Sequence, residues 1–243
     1  MPDSRPGMRP AAGAVVPALR PSEYTAALIQ TLRAHPERVR GASTLEIGSG
    51  SGVVLAALGA LGAGSLCGID IENEAVVSGS MLLFELGHVD SVEFHRGDMW
   101  LPVADRRFDV IVANLPHFPM DGGDDVGGRL PSWSAGGADG RRLLDPFLEG
   151  LAGHLSPKGR AVITHNAFVD LERSREIVTR HGLTLRVAMT TLVYIQTDKL
   201  ERMTEKVLRA EEGRSIHRYG PYAFGEMHIV EIEAAGTGTG AAT

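Results

Sequence analysis

Apolar and polar positions along this chain switch repeatedly between two periods. Short, nearly continuous apolar runs alternate with longer stretches in which apolar residues recur every three or four positions. The spacing predicts a helix over Pro21–Ala34, with Ala27, Leu28, Thr31 and Leu32 on one face, then a strand over Thr44–Ile47 and a helix over Val53–Leu61. A second strand, Ser65–Asp70, precedes a helix over Glu74–Leu86. A third, Val92–His95, leads into Arg96-Gly97-Asp98-Met99. Phe108–Ala113 is apolar enough for a strand buried on both faces. Beyond the glycine-rich stretch Pro119–Gly140, the pattern gives a helix over Leu143–His154, a strand over Arg160–His165 and a helix over Leu171–His181. Leu183–Ile195 holds one or more strands, and Met227–Glu233 is the last. Strands that alternate with helices imply an α/β domain, doubly wound around a mostly parallel sheet.

An insertion near the C-terminus, about residues 197–226, breaks this rhythm. Lys199–Glu212 reads as one helix with Leu200, Met203, Val207 and Leu208 on a face. Then come Tyr219, Tyr222 and Phe224, with His217 and Arg218 beside them. Two readings fit. The segment is a lid or the wall of an acceptor pocket, in which case His217, Tyr219, Tyr222 and the preceding Tyr194 line the substrate. Or it is a packing hairpin, or the arm of a homodimer.

The chemistry concentrates at strand ends. Leu45-Glu46-Ile47-Gly48-Ser49-Gly50-Ser51-Gly52 is strand, glycine turn and helix start, and Asp70 follows at the end of the next strand. Glycines let the backbone turn tightly and approach a ligand, and a helix start offers free N–H groups. A carboxylate at Asp70 can accept both hydroxyls of a ribose. Glu46 sits where a dinucleotide's pyrophosphate would be repelled, but it suits a cationic amino-acid ligand. The run resembles motif I of the Rossmann-like S-adenosylmethionine (SAM) methyltransferases. That resemblance implies a seven-stranded sheet with an antiparallel last strand, and SAM as cofactor.

At the end of the fourth strand stands Asn114-Leu115-Pro116-His117. An Asn side-chain oxygen and a backbone carbonyl there can accept the N–H bonds of a nucleophile and aim its lone pair. The tetrapeptide resembles the Asn-Pro-Pro-Tyr motif of methyltransferases that alkylate amide or amine nitrogens. Gly136-Gly137-Ala138-Asp139-Gly140 resembles a segment of the protein-glutamine methyltransferases that modify release factors and a ribosomal protein. By that resemblance Asp70 and Ile71 meet the ribose side, Asp98 and Met99 the adenine edge, and Glu46, Gly48, Ser49, Gly50 and Gly52 the loop around the methionine end. Asn114, Pro116 and His117 face the acceptor. Leu115 and His117 depart from the family's Pro and Tyr, and a histidine there can titrate near neutrality. His117 or Asp121 is the nearest base for an oxygen acceptor.

Composition narrows the class. The 243 residues, 43% hydrophobic, suffice for one α/β domain over 21–233, with a flexible leader at 1–20 and a disordered tail at 234–243. A net charge of -6 gives no basic field for nucleic acid. One cysteine rules out an internal disulfide framework, the histidines lack metal-ligand spacing, and no apolar run reaches membrane-spanning length. A soluble cytoplasmic enzyme is expected, without membrane or metal. The stretch before the first strand is shorter than the docking domain of the protein-glutamine methyltransferases, and the expectation is therefore a small-molecule or short-peptide substrate. Three functions stay open: methyl transfer to N or O of such an acceptor, a SAM-consuming cyclase or lyase that releases methylthioadenosine, and non-catalytic SAM binding.

Overall fold

The computed structural model describes residues 20–120 and 134–235. Eight strands form a single sheet in the order β3-β2-β1-β4-β5-β8-β6, with β7 paired to β8. The parallel part is β1 (Ser43–Ile47), β2 (Ser65–Asp70), β3 (Val92–Arg96), β4 (Phe108–Ala113) and β5 (Leu155–Asn166). Strand β8 (Tyr222–Ala234) runs antiparallel between β5 and β6 (Leu183–Ile195). Helices α1 (Glu23–Ala34), α2 (Val53–Ala60) and α3 (Asn73–Glu85) cover one face, and α4 (Leu144–His154) and α5 (Leu171–Arg180) the other. Strands β1, β2, β4 and β5 lie between two apolar layers, while the edge strand β3 is only partly buried. On β4, Val110 and Val112 join the α1–α2 layer, while Ile111 and Ala113 join the α4–α5 layer. That two-sided burial is why Phe108–Ala113 carries almost no polar residue.

Reversal of the chain between β1 and β4 creates the switch point where a doubly wound sheet binds ligands. Ile47 pairs with both Ile69 and Ala113. The residues that follow those rungs, Gly48, Asp70 and Asn114, therefore emerge side by side at the carboxyl edge. Close helix packing depends on two glycines: a Cβ on Gly52 would lie 2.8 Å from the Gly79 Cα.

The insertion departs from the sequence expectation. In place of one helix over Lys199–Glu212 there are two short ones, α6 (Thr197–Arg202) and α7 (Glu205–Glu211). Their junction is held by the loop after β4. Thr204 N donates to the Pro119 carbonyl at 2.9 Å, the Thr204 hydroxyl to the Ala138 carbonyl at 2.7 Å, and Met203 bridges to Met120. Backbone bonds directed outward in this way cannot continue a helix. The aromatic segment forms β7 (Ile216–Tyr219), which turns through Gly220-Pro221 into β8. The last strand is thus longer than Met227–Glu233, the sheet has eight strands rather than seven, and Ala234 belongs to it rather than to a tail. Residues 1–19 of the expected leader, 236–243 of the expected tail, and Asp121 lie outside the described residues. Among the described residues no helix is long and apolar enough to cross a membrane.

Candidate active site

Glu46 lies on β1 facing α2 and is 3% exposed. The Leu55 N–H, in the first turn of α2, bonds its carboxylate, and Oε2 has no partner among the described residues. Burial drives its pKa well above the ordinary carboxylate range, against the lowering effect of that N–H. Buried polar atoms without a partner are uncommon in folded proteins.

The glycine loop is locked to β2. The N–H groups of Gly48 and Ser49 both donate to the Ile69 carbonyl, at 2.9 and 3.0 Å, and Gly50 N donates to Asp70 Oδ2 at 2.9 Å. Glu72 N donates to the other Asp70 oxygen at 2.9 Å. Each carboxylate oxygen keeps a further lone pair for a hydroxyl donor. Gly48 and Gly50 hold φ of +73° and +50°, left-handed values that any side chain would strain. Ser49 is buried, and its hydroxyl lacks a partner among the described residues.

The next wall follows β3. Gly97 N donates to the Asp70 carbonyl at 3.0 Å, which brings Asp98 and Met99 to the same edge. Asp98 is exposed. Met99 has φ +47°, the one left-handed non-glycine among the described residues, and such strain tends to gather at functional sites. Ile71 is 61% exposed beside them, an apolar surface at a ligand-binding edge.

On the other side of β1, Asn114 leaves β4 with its Oδ1 accepting the Thr164 hydroxyl at 2.8 Å. Leu115 leans toward the glycine loop; a Cβ on Gly48 would lie 3.6 Å from its side chain. Beyond Pro116, His117 turns inward rather than outward. It is 4% exposed, packs edge-on to Tyr24 and lies near His165. Its Nδ1 lies 2.5 Å from the Leu115 carbonyl. A carbonyl only accepts, so Nδ1 carries the proton and Nε2 is a bare acceptor, without a partner among the described residues. Burial pulls the His117 pKa down to about 4, so the ring is neutral at physiological pH. The expected titration near neutrality is thereby replaced by a fixed tautomer.

Gly136–Gly140 braces this loop. Phe118 N donates to the Ser134 carbonyl, Gly136 N to the Phe118 carbonyl and Met120 N to the Gly137 carbonyl. Cβ atoms on Gly136 and Gly140 would each lie 2.6 Å from the His117 backbone. Those glycines exist for backbone approach. The neighbouring Arg141, 3% exposed, ties the segment to Asp145, Ser174 and the Asp170 carbonyl.

Tyr194, His217, Tyr219 and Tyr222 do not join this cluster. They share the outer face of the β6-β8-β7 ribbon with Phe224, in ring contact or, for His217, in a hydrogen bond with Glu226. The other ribbon face carries Ile195, Ala223 and Ile216, which pack in the core that contains Phe118, Leu200 and Met203. Thr164, Tyr24 and Asn166 are the residues that sequence reasoning missed. Tyr24 donates to Asn166 Oδ1 at 2.7 Å, at the carboxyl end of β5. One signal was available: Thr164-His165-Asn166 ends an apolar strand with three polar residues, all 2% exposed or less. Away from the site, Cys67, Glu93 and His95 approach within 4.8 Å of one another, and Arg106 occupies a cation's place against Glu93.

Residues 44–126 match the family model of a methyltransferase domain, and this span holds Glu46, the glycine loop, Asp70 and Asn114. That span of the chain is similar to a methyltransferase domain, and the chain has the Rossmann-like fold. The orphaned Glu46 carboxylate, the left-handed glycines and the spare lone pairs of Asp70 fit the ammonium end and ribose of SAM. Two sequence relatives are a ribosomal protein uL3 glutamine methyltransferase of Bradyrhizobium diazoefficiens and a proposed protein N5-glutamine methyltransferase of Methanocaldococcus jannaschii. The first is 29% identical over 59% of this chain and 44% of its own length. The second is 32% identical over 50% of this chain and 60% of its own. The chain therefore spans about half the length of the curated relatives it matches. Among solved structures, a chain of the E. cuniculi Mtq2–Trm112 complex shares the methyltransferase fold at 16% identity. The TM-score is 0.56, over 89% of this chain and 98% of that one.

Proposed function

We propose that this protein transfers the methyl group of SAM to the amide nitrogen of a glutamine side chain presented by a protein or peptide. The observation that carries this reading is Asn114, which emerges beside Gly48 and Asp70 with its amide oxygen held in place. Both relatives act on, or are proposed to act on, glutamine in proteins, which supports that acceptor.

When bound, SAM supplies an electrophilic methyl on a positively charged sulfur. Glu46 holds the ammonium end, Asp70 the ribose, and the glycine loop fixes the methionine chain between them. Asn114 Oδ1 and the Leu115 carbonyl accept the two N–H bonds of the acceptor amide, leaving its nitrogen lone pair directed at the methyl. Methylation would leave the amide nitrogen with one proton fewer, released to solvent. Holding the partners aligned at about 3–3.5 Å is worth roughly 7–11 kcal/mol of barrier. An oxygen acceptor asks in addition for a base, and the buried His117 is not placed to serve as one.

The test supplies SAM with ribosomal protein uL3 or a peptide release factor and maps the methyl by fragmentation mass spectrometry. Methylation of a glutamine by the wild type, and none by Asn114→Ala, is the expected result. A methyl on a hydroxyl or carboxylate oxygen would overturn it.

A further inference from the structure

We propose that Thr164 is a positioning residue: its hydroxyl fixes which edge of the Asn114 amide meets the methyl-accepting nitrogen. The inference rests on the amide-nitrogen reading above. The two ends of a primary amide are nearly equal in size, and rotating it by half a turn exchanges an acceptor for a donor. Sterics alone therefore do not orient Asn114. Its neighbours must.

Thr164 holds the amide in one orientation, its hydroxyl donating to Oδ1 rather than accepting from the NH2. Ala113 and Ile163 form the last rung between β4 and β5, so Asn114 and Thr164 stand next to each other just beyond it. Thr164 is 2% exposed, and its hydroxyl hydrogen is given to Asn114 Oδ1 at 2.8 Å. Asn114 is only half-buried, so the second lone pair of Oδ1 remains available on its open side. The companion oxygen is arranged in the same way: the buried His117 Nδ1–H stands behind the Leu115 carbonyl. Two acceptor oxygens at one strand end, each backed by a buried donor, make a cradle set before the substrate arrives. Without the Thr164 hydroxyl the Asn114 amide is free to turn, and a turned amide opposes its NH2 to the NH2 of the acceptor.

The experiment measures kcat and KM for methylation of a glutamine-bearing acceptor, with the SAM Kd by calorimetry, for Thr164→Val, Thr164→Ser and Asn114→Ala. Valine keeps the shape and removes the donor. It should lower kcat about 10- to 100-fold, as expected of a misaligned reacting pair. The SAM Kd should stay within about twofold of wild type, since the cofactor residues sit on other loops, while the acceptor KM rises with the loss of the accepting edge. Serine should restore kcat to within about threefold. If the valine variant no longer binds SAM, Thr164→Ala takes its place in the same comparison. A hydroxyl-free variant with wild-type kcat, or a serine variant as slow as valine, overturns the role of Thr164 while Asn114→Ala remains inactive. Turnover by Asn114→Ala at the wild-type rate would instead overturn the amide-nitrogen reading itself.

Discussion

Burial leaves the Glu46 carboxyl with an unpartnered oxygen and a pKa well above its ordinary value, so the charged form is penalised in the ligand-free protein. An acid with a raised folded pKa loses stability as pH rises through that pKa. Glu46→Gln keeps an acceptor for the Leu55 N–H and removes the charge. It should therefore raise the melting temperature of the ligand-free protein at pH 8 while weakening SAM binding at least tenfold, as thermal melts and calorimetry would show. A variant that melts lower and binds as well would contradict the role given to this residue. His117 behaves in the opposite sense. Its pKa lies at about 4, so its protonation should leave no inflection in a turnover profile between pH 6 and 8. The sequence expectation turned His117 toward the acceptor, whereas the structure turns it inward. Whether such a ring faces substrate or core depends on which residues fold over it, here Tyr24 and Gly136.

At the scale of the element, the Asn-Pro loop and the glycine segment form one unit. Gly140 holds φ +77° with the His117 carbonyl 2.6 Å from where a Cβ would lie, so Gly140→Ala strains the backbone and pushes on the loop together. That variant should lose turnover more than tenfold while it still binds SAM, because the cofactor residues sit on other loops; paired activity and calorimetry measurements check this. The parallel strands and their helices were legible because each has a period set by burial on known faces. Their observed bounds differ from the predicted ones by a residue or two, except that β5 begins at Leu155 rather than Arg160. The insertion was less legible. Its apolar face at Leu200, Met203, Val207 and Leu208 is helical in spacing, yet the bonds of Thr204 to Pro119 and Ala138 split it. Those partners lie far away in sequence, where periodicity carries no information. The aromatic cluster misled for a similar reason: composition records that tyrosines gather, while strand register decides which face they take.

Across the whole molecule, two features set the response to acid and to mutation. His117 and His165 are both buried with lowered pKa values, chiefly through loss of hydration. The unfolded chain therefore binds protons below about pH 6.5 that the folded one refuses, and stability falls as pH drops from there toward 4. Urea unfolding at pH 7 and pH 5 should show the loss, and His117→Asn should reduce it. The second feature is Glu231, 3% exposed at the amino end of the sheet, paired with the equally buried Arg160 at 3.2 Å and reached by Arg186 and Arg38. Glu231→Ala strands a buried guanidinium and should cost about 3–5 kcal/mol in chemical denaturation. Nothing in the pattern of β8 marked that glutamate as internal, since its partners come from other elements. The strand ends that hold Glu46, Asp70 and Asn114 were, in contrast, readable from the glycine loop and the spacing that follows it. The most direct test of the account is to incubate the purified protein with SAM, alone and with a glutamine-bearing acceptor, and identify the nucleoside product by mass spectrometry. S-adenosylhomocysteine formed only with the acceptor present is the predicted result. Methylthioadenosine released from SAM alone would contradict it and make SAM the substrate.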